Sequence, residues 1–199
     1  ESKQNERAKA IYEQSLSTIS GLKSISSQTR ASFNAVTYHQ LGIVAQEQRQ
    51  WAQAEQHYQH ALAIYIEFND RYSQARTYIG LGRVAEEQQE RLQAEQYYQQ
   101  ALAIYIEYNE RYWQATTYHG LGRVAEEHQQ WTQAYEHFSR SLAIYIEYEE
   151  KENADIALRS LRRLWQAHPD DAVLTPLAAL LGRGLMIGPA DLWGMVNSR

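Results

Sequence analysis

Cysteine is absent from the chain, so neither a disulfide nor a cysteine-ligated metal site is available to it, and the absence fits a reducing compartment. Only three prolines occur, which leaves long stretches free to form helices. No apolar run approaches membrane-spanning length, and no signal-peptide pattern opens the sequence, which points to a cytoplasmic protein without a membrane partner. A basic stripe is missing too. The net charge is −5, and residues 35–154 hold nine basic against seventeen acidic side chains. Such a surface repels a phosphate backbone and argues against a nucleic-acid partner.

What is present is repetition. Leu41-Gly42, Leu81-Gly82 and Leu121-Gly122 stand forty residues apart, and Ala61-Leu-Ala-Ile-Tyr-Ile-Glu67 returns nearly unchanged at 101–107 and 141–147. A period between roughly twenty and fifty residues marks a stacked-repeat architecture, which builds extended binding surfaces far more often than catalytic pockets. Each unit reads as two helices. The first spans about Ala75 to Gln89, with Tyr78, Leu81, Gly82 and Ala85 on one face. The second spans about Leu92 to Glu107, its buried side formed by Ala94, Tyr98, Ala101, Leu102, Tyr105 and Ile106. With no strand pattern, the chain is expected to be all-α. A glycine in mid-helix costs about 1 kcal/mol relative to Ala, so its recurrence needs a cause. Close approach of the paired helix supplies one, with Ala54, Ala94 and Ala134 as the expected counterparts.

The pattern Tyr118-x2-Leu121-Gly122-x2-Ala125-x5-Trp131-x2-Ala134-x3-Phe138-x2-Ser141-Leu142 resembles the tetratricopeptide repeat. The forty-residue period resembles the longer, kinesin-light-chain type of repeat and the arrays of multidomain bacterial signalling proteins. Ala125 departs from the family's aromatic at that place, and Ile146 from its frequent proline. The resemblance implies a right-handed α-solenoid of antiparallel helix pairs with three repeats, 35–74, 75–114 and 115–154. Residues 1–34 are expected to be a half-repeat helix and connection, because Ala8-x3-Tyr12-x2-Ser15-Leu16 matches Ala54-x3-Tyr58-x2-Ala61-Leu62 at an offset of forty-six rather than forty. Residues 155–199 are expected to cap the array, with one helix through Ile156, Leu158, Leu161, Leu164 and Trp165, another over about 172–181, and a last short one over about 190–196.

No catalytic constellation emerges, so the chain is expected not to be an enzyme and to need no cofactor. His57 and His60 lie three apart on an outward helical face, a spacing that suits a metal, but no second helix repeats the pair, so surface histidines are expected. Gly182, Gly184 and Gly188 lack the preceding strand and the Lys-Ser/Thr ending of a phosphate loop. The family resemblance implies recognition residues instead, on the first helix of each repeat facing a concave groove. They are His39, Ile43 and Gln46, then Ile79, Arg83 and Glu86, then His119, Arg123 and Glu126, with Arg76 one turn before its repeat's set. Their arginines suit an acidic or carboxylate-bearing peptide. The competing expectation is a solvated ladder in which Arg83 pairs with Glu86 or Glu87. The Lys/Asn set with which some members clamp a terminal carboxylate is missing. Phe68, Tyr108 and Tyr148 are expected to pack inward; if exposed, they would be anchor residues for a partner. The function expected is a protein–protein interaction module, the sensor or scaffold part of a larger bacterial signalling protein; the alternative is self-assembly into homo-oligomers.

Overall fold

The computed structural model describes residues 2–22 and 24–168, all of whose regular structure is helical. The helices are α1 (Ser2–Gly21), α2 (Ser27–Glu47), α3 (Trp51–Glu67), α4 (Arg71–Glu87), α5 (Arg91–Glu107), α6 (Arg111–Glu127), α7 (Trp131–Glu147) and α8 (Lys151–Ala167). The helices expected over 172–181 and 190–196, and the glycines at 182, 184 and 188, lie outside the described residues. Two compact units divide the chain, Glu1–Ile104 and Tyr105–Arg199.

From α3 onward each helix has seventeen residues and each link three, so the sequence period of forty is a structural period of twenty. The links share one geometry. Arg49, Asn69, Gln89, Asn109, Gln129 and Glu149 all adopt left-handed backbone, with φ between 53° and 61°. At each, the left-handed residue and its successor donate back into the last turn, as Gln89 N to Glu86 O (2.9 Å) and Glu90 N to Ala85 O (2.8 Å). These two hydrogen bonds satisfy carbonyls that a helix end leaves orphaned. The first helix of a repeat therefore begins a turn earlier than its apolar pattern suggests, at Arg71 rather than near Ala75. Asp70 fixes that start by accepting the Ser73 N–H at 3.0 Å. The six extra residues near the amino terminus divide between four added to α2 and two added to its link, where Ser26 caps the helix through Thr29 N.

In the first unit, Ala35 packs with Ala61 and Tyr65, while Ala45 packs with Ala54. Partners thus run in opposite order along the two helices, making α2 and α3 an antiparallel pair. Gly42 explains their closeness, although its counterpart is an aromatic ring rather than the expected Ala54. A Cβ on Gly42 would fall 2.7 Å from the Tyr58 ring, and one on Gly80 of α4 would fall 2.6 Å from the same ring. Tyr58 is therefore clasped between glycines of α2 and α4. Gly82 receives Tyr98 in the same way, and in the second unit Gly122 receives Phe138. Rings bury more surface than the alanines one turn away, so they decide the spacing. Ile106 is another correction: it is 55% exposed, while its neighbour Tyr105 is fully buried.

Two buried glutamines lock the links. Gln74 donates to Tyr65 O, and in the second unit Gln114 donates to Tyr105 O, both at 3.0 Å. That unit has one core built by α6, α7 and α8 around Tyr135, Phe138, Leu142, Leu161 and Leu164. Its last described residue, His168, stacks on Trp131 with ring centroids 3.7 Å apart.

Gly82→Ala should cost about 1–3 kcal/mol in urea denaturation because the added methyl meets the Tyr98 ring. Gly21→Ala, with nothing within 4 Å of the new Cβ, should instead gain up to about 1 kcal/mol. Gln89→Gly should gain roughly 0.5–1 kcal/mol, since relief of left-handed strain exceeds the added chain entropy.

Candidate functional site

The first-helix residues sort into three environments. His39, Ile79 and Glu86 are buried, at 7%, 6% and 7% exposure; Ile43, Gln46, His119 and Glu126 are half-buried; Arg76, Arg83 and Arg123 are exposed. The same helical face thus carries both packing and solvent contacts, according to how far each side chain reaches beyond the ring beneath it.

In the first unit, His39 of α2 lies edge-on to Tyr58, with centroids 5.5 Å apart, and its Nδ1 is 3.1 Å from Thr77 Oγ1 of α4. This contact joins the two first helices. Burial, reinforced by the Arg76 charge, lowers the His39 pKa to about 4. The Tyr58 hydroxyl donates to Gln46 Oε1 at 3.0 Å, and burial pushes its pKa above the ordinary tyrosine range. Tyr98 likewise donates to Glu86 Oε2. Gln46 and Glu86, one turn beyond their glycines, therefore hold the hydroxyl of the ring seated there.

Arg76 and Arg83 stand seven residues apart on α4, two turns on one stripe. On α2, Val36 (52% exposed) and the half-buried Ile43 have the same spacing. The expected ladder does not form: among the described residues neither Arg76 nor Arg83 makes an ion pair. Glu86, turned inward toward Tyr98, is not available as a solvated rung. Arg76 does influence its surroundings, lowering the pKa of His39 and opposing the rise at Tyr65.

The second unit treats the equivalent positions differently. His119 Nε2 is 3.2 Å from Ser160 Oγ of α8, and its ring packs on Phe138 at 5.3 Å. Phe138 has no hydroxyl, so Glu126 takes another donor. Arg163 of α8 donates to both its oxygens, Nε at 3.2 Å and a terminal nitrogen at 2.6 Å.

His57 and His60 flank Tyr38, with centroids 6.2 and 5.0 Å away. His57 is half-buried, and desolvation, with the His60 and Lys9 charges, lowers its pKa against a smaller opposing effect of Glu13. Tyr78 with Tyr97 and Tyr118 with His137 repeat this stack, so the position is a packing pair. Among the described residues no group of three or more metal-binding side chains gathers, and no helix is long and apolar enough to cross a membrane. Phe68, Tyr108 and Tyr148 do not pack inward: they are 37%, 47% and 46% exposed. Each stands at the helix end beside a left-handed link residue, where the chain turns away from the core.

Sequence reasoning missed Gly80, the buried Gln74 and Gln114, and the difference between the two units. The ring identities at 58, 98 and 138 carried that last signal.

Because His39 stays neutral when folded and gains a proton at about pH 6.5 when unfolded, the unfolded chain binds more protons between pH 4 and 6.5. Stability should therefore rise with pH across that window, by on the order of 2–3 kcal/mol, and level off above it. His39→Gln should flatten this part of a denaturation-versus-pH series.

The tetratricopeptide-repeat family model matches residues 33–107 and 76–147. No curated protein matches the chain. Among solved structures, BtubC (BKLC) from P. vanneervenii is similar over 98% of this chain and 76% of its own, at 18% identity and a TM-score of 0.75. The apo form of RapI is similar over 87% and 63%, at 15% identity and 0.72. The nearly identical TPR-like repeats of a Podosopora anserina kinesin light chain are similar over 92% and 89%, at 19% identity and 0.68. These likenesses concern the fold, an all-α helical repeat. With the matched segments spanning residues 33–147, the chain belongs to the tetratricopeptide-repeat family.

Proposed function

We propose that the chain is a protein–protein interaction module that holds a polypeptide on the solvent-facing stripe of its first helices, as the sensor or scaffold part of a larger bacterial signalling protein. Members of the family generally bind protein or peptide partners. The observation that carries the reading is Arg76 and Arg83 on α4, exposed and without an ion pair among the described residues, with Val36 also exposed on α2. Buried side chains beneath this stripe already satisfy one another, so its outward groups can engage a partner without disturbing the core.

Self-association is the second reading. Exposed Ile66 and Phe68 in the first unit, and Ile106, Tyr108 and Tyr148 in the second, favour it, because each unit leaves large apolar side chains in water. Ile66→Arg should then shift the mass measured by light scattering from oligomer to monomer; a monomeric parent chain at high concentration removes this reading.

For the preferred reading, affinity capture from the source organism should retain a polypeptide on the parent chain and lose it on the double variant Arg76→Glu, Arg83→Glu. Stability should change by less than about 0.5 kcal/mol, because both residues are exposed. Equal capture by both chains would place recognition elsewhere.

A further inference from the structure

The two units answer one structural question in two ways. In the second, Glu126 of α6 receives Arg163 of α8 in a bidentate pair. The step between them is thirty-seven residues, and the same step from Gln46 of α2 arrives at Arg83 of α4. The register is kept, but the carboxylate is replaced by an amide. Gln46 Oε1 already accepts the Tyr58 hydroxyl, and the rest of that amide is a donor, which cannot neutralise a guanidinium. Glu47, whose charge reaches the Tyr58 hydroxyl as that of Arg83 does, is exposed and forms no ion pair among the described residues. The first unit therefore presents, in Arg83, the cationic half of a pair that the second completes internally.

We propose that Arg83, with Arg76, receives acidic side chains from an extended partner segment that alternates acidic and apolar residues. This rests on the reading that the first-helix stripe holds a polypeptide, and it names the chemistry of that polypeptide. The two arginines are about 10 Å apart along α4, from seven residues at 1.5 Å each. An extended chain advances about 3.3 Å per residue and turns alternate side chains to opposite sides. Side chains on one side of it recur about every 7 Å, so those two and four residues apart are separated by about 7 and about 13 Å. The long, flexible arginine stems take up the difference of roughly 3 Å from about 10 Å. One series then meets the guanidinium groups of α4, and the other meets Val36 and Ile43 on α2. Arginine suits this role because its planar fork donates two parallel hydrogen bonds to one carboxylate.

The test is fluorescence-anisotropy titration of the full chain with a labelled seven-residue peptide alternating Glu and Val, against the same peptide with Gln or Lys replacing Glu. The acidic peptide alone should bind, more weakly as salt is raised. Arg83→Gln should weaken it about tenfold or more, the loss of a charge-assisted contact. Gln46→Glu should weaken it comparably, because it supplies from within the carboxylate that the peptide brings, and should raise the melting temperature. Arg140→Gln, which removes an exposed arginine of α7 that pairs with Glu136, should leave binding unchanged. Failure of the acidic peptide to bind overturns the proposal, as does equal binding to the parent chain and to Gln46→Glu. Binding of the Gln peptide that is lost in the double variant Val36→Asp, Ile43→Asp overturns the acidic specificity but keeps the polypeptide-binding face. No peptide binding, together with capture unaffected by the Arg76→Glu, Arg83→Glu variant, removes both.

Discussion

An aromatic ring seated on a glycine is the contact on which the rest of this protein depends. Tyr58 lies against Gly42 and Gly80, Tyr98 against Gly82, and Phe138 against Gly122, each so closely that a single methyl group would overlap the ring. A mid-helix glycine weakens its own helix, and the burial of a whole ring in the space it opens more than offsets that loss. The contact also selects a register. A ring cannot find a second glycine a turn away on the same face, so the pairing of one helix with the next is specified at one point and propagated by Ala, Leu and Val around it.

The identity of the ring then governs the surface. A tyrosine sends its hydroxyl past the glycine to the residue one turn on, engaging Gln46 in one case and Glu86 in another. Phenylalanine sends nothing, and Glu126 turns to Arg163. Glu86 and Glu126, forty residues apart, thus accept from different donors in the two units. Arg83 is exposed and makes no ion pair among the described residues, and residue 46, which stands where the second unit has Glu126, is an amide. The proposed preference for an acidic partner follows from that mismatch between units more than from the exposure of any one side chain.

Much of the fold was legible in the sequence. The forty-residue interval announced paired helices, and Leu, Gly and Ala at helical spacing marked their buried sides. The true structural interval of twenty was harder to see, because the links lack the glycine that ordinarily marks a left-handed helix end. Only Asn69 and Asn109 hinted at it; Arg49, Gln89, Gln129 and Glu149 carry the same backbone with side chains that give no such sign. The partner of the repeated glycine was misread because sequence spacing places Ala54 and Tyr58 on one face without saying which lies opposite Gly42. Ile106 was misplaced because adjacent apolar residues on a helix point about 100° apart, and only one of them can face the core. At the candidate site, the exposed arginines were identifiable from the repeat alignment. Burial of His39 and Glu86 was not, since it arises from neighbours thirty-eight and twelve residues away.

A double-mutant cycle at Gly122 and Phe138, read by urea denaturation, tests the central contact most directly, since Phe138 has no hydroxyl to complicate its truncation. Gly122→Ala should be costly beside Phe138 but nearly neutral beside Phe138→Leu, giving a coupling energy on the order of 1–2 kcal/mol. Additive effects, with the alanine equally costly in both backgrounds, would show that the ring does not occupy the space the glycine leaves and would contradict the account.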